Sequence, residues 1–432
     1  MPRGDLSIDL VNAVLPWLRA GSDYRRHNRS FILEQESLSA MTHWSVVESA
    51  EAVAPPPQAA AEPAASARLL SLDAVRGIAV AAMILVNNPG SWKSVYPPLR
   101  HAAWHGCTPA DLVFPLFLFV MGVSAVFSFR QRHLAGTSRV RQLAHVFWRS
   151  LILLAIGLVL NGLFYIPWHG LRLPGVLQRI ALTYCLAALV LLSLRTRLQA
   201  ALTVCLLAGY WLLMTHAAAP GHHAGDLAPL GNFASYLDRL ILHGHMWKQR
   251  WDPEGLLSTL PALATTLSGA LVGQWLLWRR DSGAGQWFPD VRRQSCTALG
   301  LLTAGLAAIL LGRCWGLVFP MNKTLWTSSF ALFSAGWATL ALGACYWLLD
   351  VKQWRSWARP FVHLGRNSLA IYTASELFSN ALLTRVPDRV YHRFAAFFAS
   401  PRLASLAWAL AYVALWEIVA WAMHRKRLFL KL

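Results

Sequence analysis

The sequence predicts an all-α fold, a polytopic membrane bundle of about ten transmembrane helices with both termini on the cytoplasmic side. Apolar residues make up 56% of the 432-residue chain and charged residues only 14%, against roughly 25% charged in soluble domains. About ten segments are long and apolar enough to cross a bilayer, which takes roughly 20 helical residues. Basic residues gather on alternate connections between them. In hydrocarbon the backbone must satisfy its own hydrogen bonds, so the spans are helices. The segments of about ten alternating residues that mark an outer-membrane barrel do not occur.

Residues 1–67 stand apart. Segment 1–48 has mixed polarity and no span, and 49–67 (SAEAVAPPPQAAAEPAASA) is an Ala/Pro linker that cannot bury a core, so the whole reads as a disordered or extended cytoplasmic segment. It lacks the basic and apolar regions of a secretory signal. Met41 offers a second start, with 1–40 as an upstream extension.

The membrane domain is 68–432. The first span, 69–88, is an apolar run that carries Asp73 and Arg76 near its start and Asn87 at its end. A loop with His101, Trp104 and His105 leads to the second span, 110–130, which Asp111 opens. The third is 145–166; the fourth, 175–194, holds Gln178 and Arg179 within an apolar helix; the fifth is 199–217. WDPEG, with Asp252 and Glu254, precedes the sixth, 256–278. The seventh is 296–319, and Asn322 and Lys323 open the eighth, 327–349. Glu376 lies in the ninth, 360–383, and the tenth is 403–424.

Arg130, Arg132, Arg139, Arg141 and Arg149 follow the second span; Arg195 and Arg197 the fourth; Arg279, Arg280, Arg292 and Arg293 the sixth; Lys352, Arg355 and Arg359 the eighth; and Arg425, Lys426 and Arg427 form the tail. With ten spans these fall on one side, which the positive-inside rule makes cytoplasmic. The His101 loop, the 167–174 turn and the 218–255 loop then lie outside, facing the periplasm of a bacterial inner membrane. The inner arginines account for most of the formal charge of +19, so no nucleic-acid partner is implied.

The six cysteines show no C-x-x-C or metal spacing and read as small core residues. No H-E-x-x-H, P-loop or G-x-G-x-x-G occurs, and no metal site is expected. Ionisable groups at or within a span are expensive and mark pathways or reactive sites. They concentrate between Leu72 and Pro115.

The run RLLSLDAVRGIAV, LVNNPG and LRHAAWHGCTPADLVFPLFLFVMGVS resembles the catalytic region of the heparan-α-glucosaminide N-acetyltransferase family. LRLPGVLQRIALTY (171–184), WDPEGLLSTLPA (251–262), FPMNKTLWTSSFALFSAG (319–336) and GRNSLAIYTASE (365–376) are similar to further blocks of it, in order, from about Arg68 to the C-terminus. The resemblance implies transfer of an acetyl group from cytosolic acetyl-CoA to the amine of a glucosamine-type sugar on the far side. It puts the family's functional histidine at His101, its asparagine at Asn87 and its loop aspartate at Asp111. The family's long lumenal N-terminal domain has no counterpart, so a small sugar or cell-wall fragment is the expected acceptor.

An amine attacks a thioester only when unprotonated, and histidine has the pKa to take its proton. The imidazole could instead attack acetyl-CoA and carry the acetyl group. Asp111 could hold the tautomer or simply cap the second helix. Asn87 could donate to the oxyanion or end the first helix. Arg76, Arg179, Asn322 and Lys323 are candidates for acetyl-CoA, Arg76 at the cytosolic face for phosphate unless it only pairs with Asp73. Trp104, Asp252 and Glu254 are candidates for the sugar, although such tryptophans also form interfacial belts and acids open helices. The expected partners are the acceptor, acetyl-CoA and the bilayer, with a homodimer also open. An amino-sugar permease is the alternative function, and an acyltransferase with another donor shares the architecture.

Overall fold

A computed structural model describes residues 69–430 apart from 165, 248–249, 283–289 and 381–387. The expected N-terminal segment, 1–67, with its linker and Met41, lies outside the described residues. The described residues contain helices and no strand: α1 (Leu70–Asn87), α2 (Val113–Leu134), α3 (Arg139–Leu160), α4 (Val176–Ser193), α5 (Thr196–His216), α6 (Phe233–Ile241), α7 (Thr259–Asp281), α8 (Asp290–Trp315), α9 (Ser328–Cys345), α10 (Arg359–Arg366), α11 (Ser368–Phe378), α12 (Asp388–Ala395) and α13 (Pro401–Arg425). Among them, nine helical segments are long and apolar enough to cross a membrane.

The apolar runs locate the spans, and their ends shift by the chemistry of the flanks. The third begins at Arg139 rather than at 145 because the Ser138 side chain accepts from Arg141 N at its start. Arg141 and Arg149 therefore ride on the helix instead of in a connection. The second is preceded by a 3₁₀ turn, Pro109–Leu112, that Thr108 and Asp111 close as a capping box. α9 runs on through a π-helical segment, Tyr346–Val351. Between the spans, α6 and α12 are short helices that hydropathy does not reveal.

The expected ninth span is not one helix. α10 and α11 break at Asn367, whose backbone (φ −121°, ψ 30°) leaves the helical region. The break is stitched to the tail: Asn367 Nδ2 donates to Leu428 O (3.0 Å) and its Oδ1 accepts from Leu430 N (2.9 Å). A buried break needs such partners, since unpaired backbone groups are costly in hydrocarbon. The end expected near 383 lies outside the described residues.

The broken pair is not among the nine long apolar segments of the described residues, and its two halves lie against α1. At one end Ser71 N donates to Asp350 Oδ2 (3.3 Å) and Arg76 Nη1 to Gly365 O (3.2 Å), beside the Asn367 and Leu428 contact. At the other, Asn87 Nδ2 donates to Glu376 Oε1 (3.0 Å). There the loops following α1, α3, α5 and α8 meet: Trp104 Nε1 donates to Leu227 O (2.9 Å), Leu173 N to His245 O (3.0 Å) and Gly106 N to Met321 O (2.8 Å).

Glycines bring helix backbones together where lipid supplies no hydrophobic drive. A Cβ on Gly77 would lie 1.7 Å from Phe361 O, and one on Gly365 1.8 Å from Asp73 O, so α1 and α10 pack backbone to backbone. Gly122 and Gly269 do the same for α2 and α7. The core beneath the loop end holds Phe114, Trp326 and Phe330, with Trp326 edge-on to both phenylalanines.

Candidate active site

Asp111 is buried, with 1% of its side chain exposed. Its Oδ2 accepts from Ala102 N (3.1 Å), Thr108 N (3.0 Å) and Thr108 Oγ1 (3.0 Å), and its Oδ1 lies 2.8 Å from His101 Nδ1. A carboxylate only accepts, so the proton belongs on Nδ1 and the lone pair on Nε2; this tautomer follows from the hydrogen bonds. Asp111 thus sits both in the capping box of the second span and against the imidazole. His101 keeps 40% of its side chain exposed, and its Nε2 faces Lys323 Nζ at 3.3 Å.

Lys323 arrives from 222 residues away. Its Nζ stands 3.2 Å from His101 Nδ1, 3.3 Å from Nε2 and 3.8 Å from Asp111 Oδ1. The turn that presents it is built locally. Asn322 Oδ1 accepts from Leu325 N (2.9 Å), Thr327 Oγ1 accepts from Asn322 N (3.0 Å), and Trp326 takes a left-handed backbone (φ 50°). Asn322 therefore shapes the turn that holds Lys323. Burial pulls the Lys323 ammonium below the usual lysine range, against the opposing pull of Asp111 and Glu254.

Cys107, beside the histidine loop, is inert: burial pushes its thiol up to about 12, and Sγ points to Thr108 O (3.6 Å). A thiol at that value holds almost no thiolate at neutral pH. His105 packs edge-on against Trp104 (6.3 Å), and burial lowers its pKa.

Asn87 is not drawn into this cluster. Its amide donates to Glu376, and among the described residues no hydrogen bond joins it to His101 or Asp111. Tyr412 OH caps Ser375 O (2.7 Å) one residue before Glu376, so the α1, α11 and α13 segments form a second polar layer. Arg76 lies in the second turn of α1, 11 residues before Asn87, donating to Gly365 O and 3.3 Å from Asp73, the i, i+3 pairing expected as its alternative.

Asp252 and Glu254 meet an arginine that the sequence reading does not single out. Arg172 grips Asp252 with two nitrogens (2.8 and 2.7 Å) and Glu254 with one (2.5 Å). Asp252 also accepts from Trp247 N (2.8 Å) and Glu254 N (2.9 Å). Burial works to raise the Asp252 carboxyl, but the Arg172 bond and charge outweigh it and hold it below the usual range. Both Asp252 oxygens are thereby engaged within the loop. No spacing in the sequence pairs Arg172 with acids 80 and 82 residues away.

Arg179, 1% exposed in α4, donates to Gly255 O (3.0 Å) and Ser258 Oγ (2.5 Å) and lies over the Trp326 ring at 5.1 Å. It ties α4 to the entry of α7 directly under the Lys323 turn. Glu254 is within electrostatic range of Lys323, Arg179 and Tyr372, between the His101 and Asn87 layers. Trp104 is edge-on to Trp251 (5.4 Å), and Trp251 to Trp247 (6.2 Å). Asp238 of α6, also absent from the sequence candidates, accepts from Leu256 N (2.9 Å), and burial raises its carboxyl to about 6.

Comparison with known proteins identifies the family. Residues 68–300 match the family described as heparan-alpha-glucosaminide N-acetyltransferase, catalytic. The human heparan-alpha-glucosaminide N-acetyltransferase is 30% identical over 420 residues, covering 84% of this chain, and the mouse protein of that name 27% identical over 419 residues, again 84% of the chain. The chain spans 60% of the length of each relative. The match over 68–300 takes in His101, Asp111, Asn87, Arg172 and Glu254, and Lys323 falls beyond it. With nine helices among the described residues long and apolar enough to cross a membrane, the chain is an integral membrane protein and belongs to the heparan-alpha-glucosaminide N-acetyltransferase catalytic family.

Proposed function

We propose that this protein transfers the acetyl group of cytosolic acetyl-CoA to the amine of a glucosamine-type sugar on the other side of the membrane. The observation that carries the reading is the Asp111–His101 dyad, with Nδ1 tied to the carboxylate and the ring part-exposed beside Lys323, in a chain of this family. The ammonium form of the sugar must lose a proton before its nitrogen can form the new C–N bond. His101 Nε2 takes that proton, the neutral amine forms the C–N bond, and as the C–S bond breaks the sulfur leaves as thiolate and receives the second proton that the amine nitrogen gives up. In the carrier variant Nε2 itself forms the bond to the acetyl carbon, thiol leaves, and the amine then takes the acetyl group from the ring. Ping-pong kinetics belong to the second route only.

The acceptor is supported at the Trp104, Trp247 and Trp251 cluster, where a ring face suits a sugar, with Glu254 able to meet its ammonium. Asp252 supports this indirectly, by holding the loop through Arg172. Asn87 retains the oxyanion role only if its amide leaves Glu376 when the thioester binds. Arg76 is supported for donor phosphate by its place at the end of the bundle opposite His101. An accessible metal or a homodimer is not required by any of these steps.

One observation favours the permease alternative: the helix broken at Asn367, since transporters bind substrates at broken helices. The purified protein, given labelled acetyl-CoA and a panel of amino sugars, separates the two. Acetylated sugar is expected from the wild type and none from His101→Ala, with the fold retained because His101 lies in a loop. Uptake of unmodified sugar into vesicles without acetylation would establish the permease.

A further inference from the structure

We propose that Lys323 is a positioning residue that sets the charge of His101: its ammonium offsets the Asp111 carboxylate, so the carboxylate fixes the tautomer without turning the ring into an imidazolium. The inference rests on the acetyl-transfer reading of this site. A carboxylate 2.8 Å from a histidine by itself favours the protonated ring, which has no lone pair on Nε2 and can neither take a proton nor attack a carbonyl. The ammonium stands at nearly the same distance with the opposite sign, 3.2 and 3.3 Å from the two ring nitrogens.

Lys323 lies nearer to the ring than to the carboxylate, which is 3.8 Å away. A lysine placed only to neutralise Asp111 would take the shorter path to it. Instead Oδ2 of Asp111 is filled by three donors from the loop, and Oδ1 is left to the histidine. The groups in electrostatic range of the ammonium are Asp111, Glu254 and Cys107. Cys107 is a neutral thiol, so the two carboxylates are the charges that favour the ammonium form of Lys323, against the burial that opposes it. The Asn322, Thr327 and Trp326 turn and the Gly106 N to Met321 O bond give the lysine its fixed position.

The roles of the two neighbours are therefore opposite, and a pH titration of His101 separates them. Diethylpyrocarbonate modifies only the neutral imidazole. The extent of modification of the His101 peptide, followed by mass spectrometry on the full-length protein across pH, reads ring protonation whether or not the variant is active. Lys323→Met is expected to raise the midpoint by about one pH unit or more, a tenfold change in protonation. Asp111→Asn is expected to lower it, and the double variant to return toward the wild type. The acid limb of kcat/KM for acetyl transfer should move with the Lys323→Met midpoint, and Lys323→Arg, which keeps the charge, should leave the midpoint near the wild type.

A midpoint unmoved in Lys323→Met, or one that shifts in the same direction as in Asp111→Asn, overturns the proposal. If Lys323→Met does not fold, Lys323→Gln and Lys323→Arg are read in the same way, a rise in the first alone supporting it. Variants that show the expected shifts, with a wild type that forms no acetylated sugar, remove the acetyl-transfer reading and leave the charge relation standing.

Discussion

Asp111 shows how one residue can serve the fold and the chemistry together. Its Oδ2 closes the capping box that starts the second span, and its Oδ1 fixes His101. This pair was legible in the sequence because both residues sit in one loop, ten positions apart, where a helix-start pattern and a histidine can be read side by side. Lys323 and Arg172 were not legible in their roles, because their partners lie 222 and 80 residues away and no local pattern links them. Arg172 carries a prediction of its own. It is the counter-cation of two buried carboxylates, and removing one partner of such a group costs about 3–5 kcal/mol. Arg172→Ala should lower Tm in detergent markedly at neutral pH, and Arg172→Lys should restore only part, having the charge without the fork. The Asp252 carboxyl is held below its unfolded value, so the stability of the latch is present above about pH 4 and is lost as pH falls through the folded value. The difference between wild type and Arg172→Ala should accordingly shrink on acidification below about pH 4. Equal Tm values at neutral pH would contradict the latch.

At the scale of elements, apolar runs located the spans because length and hydropathy act over a whole helix. The break at Asn367 escaped because a single Asn hardly changes the mean of a 20-residue window, and its partners at Leu428 and Leu430 come from the far end of the chain. The same tertiary origin hid the backbone contact of α1 with α10. Gly77 and Gly365 each leave no room for a Cβ beside a carbonyl oxygen of the other helix. Gly365→Ala is therefore expected to destabilise by about 1–3 kcal/mol, as overpacking of a close interface does. Gly209→Ala in α5, where a Cβ meets nothing within 4 Å, should be neutral or gain a few tenths of a kcal/mol to about 1 from helix propensity. Thermal melts of the two variants check this, and a loss at Gly209 as large as that at Gly365 would place the close contact elsewhere.

Over the whole molecule, the proposed function places donor and acceptor on opposite sides of the bundle. Arg76 and the Asn367 stitch lie at one end, and the His101, Lys323 and tryptophan cluster at the other. A hydrocarbon core is about 30 Å thick, and CoA phosphates do not cross it unaided. Under the proposed function the donor nucleotide stays on the Arg76 side while its extended arm carries the thioester toward His101. The central claim is that donor and acceptor are used from opposite faces. It is tested most directly with sealed vesicles of known orientation, with labelled acetyl-CoA supplied on one face only and the amino sugar on the other. Acetylated sugar should form when acetyl-CoA is on the Arg76 face and the sugar on the His101 face, and none should form in the reverse arrangement or with His101→Ala. Product formed at an equal rate when acetyl-CoA and sugar are both confined to the His101 face would contradict it.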